Sequence, residues 1–186
     1  MQREPLSVVV ITLNNAATLD ACLSGVDWAD EIVVLDSGSS DATTAIAAHY
    51  GARIHAQPFA GYSAQKQAAI DLASHRWVLL LDSDESLDAD AAACLQQALC
   101  EPAHAGYQLW RREWQFWRWQ SRRGRLNQYV RLFDRQHHLD VAQTVPGRHI
   151  LGRRVIPDDQ LVILEHVPKH NLKNARHFVT RHHSHP

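Results

Sequence analysis

Residues 77–85 read WVLLLDSDE. Five consecutive apolar residues closed by a turn suit a strand buried on both faces, as in a parallel sheet. The run breaks at Asp82-Ser83-Asp84, which sets two carboxylates one residue apart at the carboxyl edge of that sheet, where open α/β folds bind ligands. Two hard oxygen ligands suit Mg²⁺ or Mn²⁺, which can clamp a pyrophosphate. Taken alone, the triplet equally suits a helix-capping Asp82 followed by a solvated Asp84.

Two other strand ends carry polar groups of the same kind. SVVVITLNN (7–15) is a β-branched run that stops at Thr12, Asn14 and Asn15, and EIVVLDSGSSD (31–41) stops at Asp36 and continues into Ser37, Gly38, Ser39 and Ser40. A helical pattern follows each run. Leu19, Cys22, Leu23 and Val26 recur at i, i+3, i+4, i+7. Asp41 suits an N-cap for a helix containing Ile46, and Gly51 stands where a left-handed C-terminal cap belongs. Residues 61–74 read as a third helix with Lys66 in its first turns, and 88–99 as a fourth. This βαβ succession predicts an α/β fold with a mostly parallel central sheet flanked by helices, and it brings all three polar clusters to one edge.

A nucleoside diphosphate would use every member of those clusters. Asp36 can accept from a base imide, Asn14 or Thr12 can hold base or ribose, and Lys66 can meet a phosphate as a point charge. Asp82 and Asp84 can carry a metal. The glycine fingerprints of dinucleotide dehydrogenases and P-loop ATPases are absent from the sequence, which speaks against both classes. Turn residues at Asn14 and Asn15, a capping loop at 37–40 and a solvated Lys66 are the plainer readings of the same residues.

The stretches VVVITLNNAATLDACLSGVDWADEIVVLDSGSSDAT, GYSAQKQAAI and WVLLLDSDE together resemble glycosyltransferase family 2, whose fold is GT-A, a Rossmann-like α/β arrangement. The similarity is greatest to the bacterial branch that builds lipopolysaccharide core. It runs from Ser7 to about Leu99 and continues more weakly through GYQLWRR and YVRLFDR to about His166. The resemblance implies a single domain over 1–186, with a nucleotide-sugar donor half (1–100), an acceptor half (105–170) and a His-rich tail (171–186). It implies that Thr12, Asn14, Asp36, Ser37, Lys66 and Asp82 bind the donor, and that Asp82 and Asp84 hold Mg²⁺ or Mn²⁺ with His166 completing the set. Arg131 matches a recurrent arginine on the acceptor side, where Trp117 and Arg118 also fall. The reaction implied is sugar transfer, with inversion, from a nucleotide diphosphate, UDP foremost, to a hydroxyl of a glycan or lipid-linked acceptor. Relatives usually extend further at the C-terminus, so the chain reads as a short member or a truncated one.

One departure from the branch bears on catalysis. Where a His-Glu pair is expected after RLF, residues 140–145 read DVAQTV, with Ala142 and Gln143 at its place. An amide has no useful proton affinity, which leaves Asp140 and Glu165 as candidate bases. A nucleotide-sugar-binding or regulatory module that does not turn over donor is therefore the rival reading. A haloacid-type phosphatase fits poorly because its Asp-x-Asp lies near the N-terminus, and a nucleotidyltransferase because its glycine- and arginine-rich loop after the first strand is missing.

Size and composition agree with one domain: 186 residues, 45% hydrophobic, can bury a real core. A formal net charge of −1 argues against nucleic acid as a partner. Cys22, Cys94 and Cys100 are too few and scattered for a disulfide framework and read as reduced thiols. No leader or apolar run of ~18–20 residues is seen, which predicts a cytoplasmic protein. A peripheral seat on the inner-membrane surface stays open because WRREWQFWRWQSRRGR (110–125) interleaves tryptophan with arginine. That segment equally suits packing beneath the acceptor site, or a grip on an anionic acceptor.

Overall fold

The computed structural model describes residues 2–115, 118–121 and 126–136, and the backbone of 163–166. In chain order its elements begin β1 (Leu6–Thr12), α1 (Ala16–Ser24), β2 (Glu31–Asp36), α2 (Thr43–His49), β3 (Arg53–Ala56), α3 (Tyr62–Asp71) and β4 (Trp77–Asp82). They continue β5 (Glu85–Leu87), α4 (Ala89–Cys100), β6 (Gly106–Gln115), β7 (Arg118–Trp119), β8 (Asn127–Asp134) and β9 (Ile163–His166).

The strands lie in the order β3-β2-β1-β4-β8-β6-β9-β5, with β7 paired to β6. The first four are mutually parallel, as the βαβ reading requires; β8 is antiparallel to both β4 and β6, and β9 runs parallel to β6. The fold class is therefore the expected one, α/β with a parallel sheet at its centre. Period-two alternation sorts the strand residues onto two faces. Val8, Val10, Leu79 and Leu81 face a core with Leu19, Cys22 and Leu23 of α1 and Leu95 and Leu99 of α4. Val9, Ile11, Val78 and Leu80 face a second core with Ala69 and Ile70 of α3. Cover on both faces is why these strands are apolar without a break.

Strand order turns back between β1 and β4, which makes their carboxyl ends the switch point where ligands bind in open α/β sheets. A close backbone approach seats α1 against β5. A Cβ added at Gly25, just past α1, would stand 2.7 Å from the Leu87 carbonyl oxygen, so only glycine lets α1 press against β5.

Some local details differ from expectation. Asp41 lies one residue outside the α2 N-cap, Ala42, yet its carboxylate accepts from the Thr43 and Ala16 N–H groups and so caps α2 and joins it to α1. Gly51 does adopt the left-handed conformation (φ +68°). Strands β3 and β5 were not anticipated, the first because RIHA has no apolar alternation and the second because three residues carry no period. The three cysteines are free thiols, and among the described residues no helix is long and apolar enough to cross a membrane.

At the opposite, amino edge, Glu31 ties three strands together. Its carboxylate accepts from the Ser7 hydroxyl, from the Ser74 N–H and hydroxyl (both 2.7 Å) and from Arg53. Burial opposes its charge, but those donors prevail and lower its pKa to about 2. A folded-state pKa below the unfolded value contributes stability that is full above the ordinary carboxylate range and lost as pH falls toward 2. Urea midpoints measured from pH 6 down to pH 2 are thus expected to fall less steeply in Glu31→Gln than in the wild type; parallel curves would remove Glu31 from this role.

Candidate active site at the carboxyl edge

The Asp82–Asp84 turn joins β4 to β5 and is held from both sides. On one side, the Asn15 side-chain amide donates to the Ser83 carbonyl (2.7 Å) and hydroxyl (2.9 Å), and the Thr18 hydroxyl donates to the same carbonyl (2.8 Å). On the other, the fully buried Glu85 carboxylate accepts the Asp82 N–H (3.1 Å) and the Arg131 guanidinium. Nη2 of Arg131 also donates to Asp82 Oδ2 (3.1 Å), while Lys66 Nζ stands 2.7 Å from Asp82 Oδ1. Burial alone would push the Asp82 carboxyl up; Arg131 and Lys66 outweigh it and hold it below the usual range. For Glu85 burial wins, aided by the Asp82 charge, and its carboxyl is raised despite Arg131.

Arg131, which the resemblance sets on the acceptor side, is buried in the structure. It is 1% exposed, with its guanidinium 5.3 Å from the Tyr129 ring, and it braces the Asp-x-Asp turn from beneath. Neither Glu85 nor Asn15 was singled out as a site residue. Glu85 reads in sequence as one more polar residue after the motif; only the pairing of β4 with β8 brings Arg131 to it.

A cavity of about 450 Å³ opens over this turn, lined by Thr12, Leu13, Ser37, Phe59, Tyr62, Gln65, Lys66, Asp82, Ser83 and Asp84 among others. Five of the expected donor or metal residues (Thr12, Ser37, Lys66, Asp82 and Asp84) therefore share one pocket. Two others do not line it. The Asp36 carboxylate is occupied by its own loop, accepting from the Gly38 (3.0 Å) and Ser39 (2.8 Å) N–H groups and from the Ser39 hydroxyl. Asn14, left-handed at φ +48°, accepts the Ser40 N–H (2.8 Å) and so pins the β1–α1 loop to the β2–α2 loop. Both shape the pocket from outside its wall.

Carboxylate oxygens suit a hard divalent cation. Among the described residues no group of three His, Cys, Asp or Glu side chains surrounds a common point. The two carboxylates that line the cavity, Asp82 and Asp84, suit an ion of the Mg²⁺ type, which usually takes one or two carboxylates and completes its shell with phosphates and water. The backbone of His166 pairs with that of Glu85, which brings β9 beside the motif, and Glu165 pairs with Ser86. The side chains of Glu165 and His166, and all of Trp117 and Asp140, lie outside the described residues. Arg118 is exposed in β7. In the described part of the tryptophan–arginine segment the side chains pack on one another: Arg111 over Tyr129 (4.4 Å), Arg112 over Trp119 (4.9 Å), and Trp114 edge-on to Trp119 (5.3 Å).

The family model described as glycosyl transferase family 2 matches residues 7–160. Over 89 residues the chain is 39% identical to the lipopolysaccharide core biosynthesis glycosyltransferase LpsC of Rhizobium meliloti, covering 45% of this chain and 33% of the relative. A TPR repeat-containing protein of Synechococcus elongatus is 38% identical over 112 residues, 59% of this chain and 28% of its own. The matched stretches thus span about a third of these relatives' lengths. Among solved structures, glucosyl-3-phosphoglycerate synthase of Mycobacterium tuberculosis, crystallised with Mn²⁺, UDP and glucosyl-3-phosphoglycerate, superposes with a TM-score of 0.49 at 24% identity, covering 60% of this chain and 44% of that one.

Proposed function

This chain belongs to glycosyltransferase family 2, and from that premise we propose that it transfers a sugar from a nucleotide diphosphate, UDP foremost, to a hydroxyl of a glycan or lipopolysaccharide-core acceptor, with inversion. The observation that carries the reading is the meeting of Lys66, Asp82 and Asp84 with Thr12 in one cavity at the switch point of the sheet. The name of the Rhizobium relative supports the acceptor class.

In this proposal Asp82 and Asp84 together hold the metal, with Asp82 oriented by Lys66 on one oxygen and Arg131 on the other. A Mg²⁺ or Mn²⁺ ion held there would neutralise charge on the leaving diphosphate. Lys66 supplies a second positive charge at the same point. A nucleoside diphosphate entering the cavity gives its ammonium a phosphate partner in exchange for Asp82. The Asn15, Thr18 and Glu85 contacts keep the turn fixed while that exchange occurs. The base that deprotonates the acceptor is assigned to Asp140 or Glu165.

A second reading is favoured by one observation. Among the described residues, Asp82 and Asp84 are the carboxylates that line the cavity, and neither is free to serve as a general base in this scheme. A module that binds donor without turning it over would look the same there. Release of nucleoside diphosphate from UDP-sugars, followed with Mn²⁺ and with EDTA, separates the two. Metal-dependent release supports the transferase. Tight donor binding without release, across a set of glycan acceptors, supports the binding module.

A further inference from the structure

Residues 110–125 carry six arginines against one glutamate, in a chain whose formal net charge is −1, so the remainder of the chain is acidic. Strands β6 and β7 hold the described part of this segment as a ribbon, with Trp114 opposite Trp119 and Gln115 opposite Arg118. Among the described residues β7 pairs with β6 alone, off the path of the main sheet. None of Trp110, Trp114 and Trp119 is buried, and Arg118 is exposed. These tryptophans therefore do not form a floor beneath the site.

Strand register sets the ribbon beside the Asp-x-Asp turn. Glu113 lies opposite His166, and His166 opposite Glu85, the residue that follows Asp84, so β6 draws level with the turn at Glu113. Trp114 and Gln115 carry the strand ~7 Å further, at a rise of about 3.3 Å per residue. One face of the ribbon joins cation to ring: Arg112 lies over Trp119 at 4.9 Å, and Trp119 meets Trp114 edge-on at 5.3 Å. Arginine and tryptophan interleaved in this way offer charge to an anionic surface and amphipathic rings to its headgroup layer.

We propose that the β6–β7 ribbon docks this protein on an anionic phospholipid surface, with Trp114 and Trp119 at headgroup level and Arg112 and Arg118 against the phosphates. The charge asymmetry sets the orientation, because such a surface attracts the ribbon and repels the acidic remainder of the chain. The ribbon rises from the carboxyl edge, so docking turns the edge that holds the cavity toward the lipid, where a lipid-linked hydroxyl is presented. A free anionic sugar would use the arginines alone; tryptophans on the same ribbon favour an interface.

The test is co-sedimentation of the whole chain with vesicles of phosphatidylcholine alone and of phosphatidylcholine mixed with phosphatidylglycerol. Neither donor nor acceptor is added, so the outcome is separate from the transfer reading. Binding is expected to the mixed vesicles only, and to weaken as salt is raised. Arg118→Glu, a charge reversal at an exposed position, is expected to weaken it at least ~tenfold with the melting temperature unchanged, while Arg118→Lys retains it. Equal binding to both kinds of vesicle, binding that survives Arg118→Glu, or no binding at all would overturn the proposal. So would a soluble polyphosphate held as tightly as the mixed vesicles at equal phosphate, since that anion offers charge without an interface.

Discussion

Replacing Asp84 by asparagine is expected to remove the metal-dependent share of nucleotide affinity, a loss beyond ~100-fold, and to leave the melting temperature almost unchanged. Even groups that merely support a metal ligand cost 10–100-fold when removed, so a direct ligand should cost more. The fold should tolerate the change because Asp84 is only half-buried, asparagine keeps its shape, and the turn is also held through Ser83 to Asn15 and Thr18 and through Asp82 to Lys66, Arg131 and Glu85. Asp82→Asn makes the instructive contrast. It strips Lys66 and Arg131 of a shared counter-ion inside the protein and should destabilise as well as inactivate. Calorimetric titration of nucleotide with Mn²⁺ and with EDTA, beside thermal melts of each variant, checks both. Metal-dependent affinity that survives in Asp84→Asn would move the ion elsewhere.

Removing Arg131 is expected to have the largest effect on stability. Glu85 is 0% exposed and Arg131 1%, so Arg131→Met leaves a carboxylate in the interior without its main cation. Breaking a buried pair from one side typically costs about 3–5 kcal/mol, because the remaining charge is uncompensated. The nearest remaining cation, Arg111, stands 3.7 Å from Glu85 Oε1 and is already bonded to Glu113, so it offsets little of the loss. The paired change Arg131→Met/Glu85→Leu removes both charges and should restore most of the stability, as apolar replacements of buried pairs often do. It should not restore donor binding, since Asp82 then lacks both the donor to its Oδ2 and the acceptor of its N–H. Chemical denaturation and nucleotide titration on the single and double variants form the cycle that separates these roles. Donor affinity recovering along with stability would show that the pair only holds the fold.

What could be read in advance followed from local pattern. The runs that became β1, β2 and β4 are apolar without a break because each is covered on both faces, and their polar ends therefore had to share an edge. The helix that carries Lys66 was bounded by Gly61, and Asp82 and Asp84 stood where the β4 run stops. Long-range pairing was not legible. Arg131 lies 46 residues from Glu85 in sequence, and only the antiparallel placement of β8 beside β4 brings it under the motif. Nothing in DSGSS says that the loop folds back on the Asp36 carboxylate, so those loop contacts emerged only from the structure. Phe59 and Tyr62 flank a glycine in a segment with no period, so their exposure together at the pocket mouth emerged only from the fold.

The most direct test of the whole account is thermal stabilisation of the wild-type chain by UDP, GDP, CDP, ADP and dTDP, each with Mn²⁺, Mg²⁺ or EDTA. A ligand present at a hundredfold its dissociation constant adds about 2.7 kcal/mol, enough to raise the melting temperature measurably. The account predicts that one nucleotide above the others stabilises the protein in Mn²⁺ or Mg²⁺ and that EDTA abolishes the shift. No shift with any nucleotide, or a shift indifferent to EDTA, would contradict a metal-dependent donor site at the carboxyl edge.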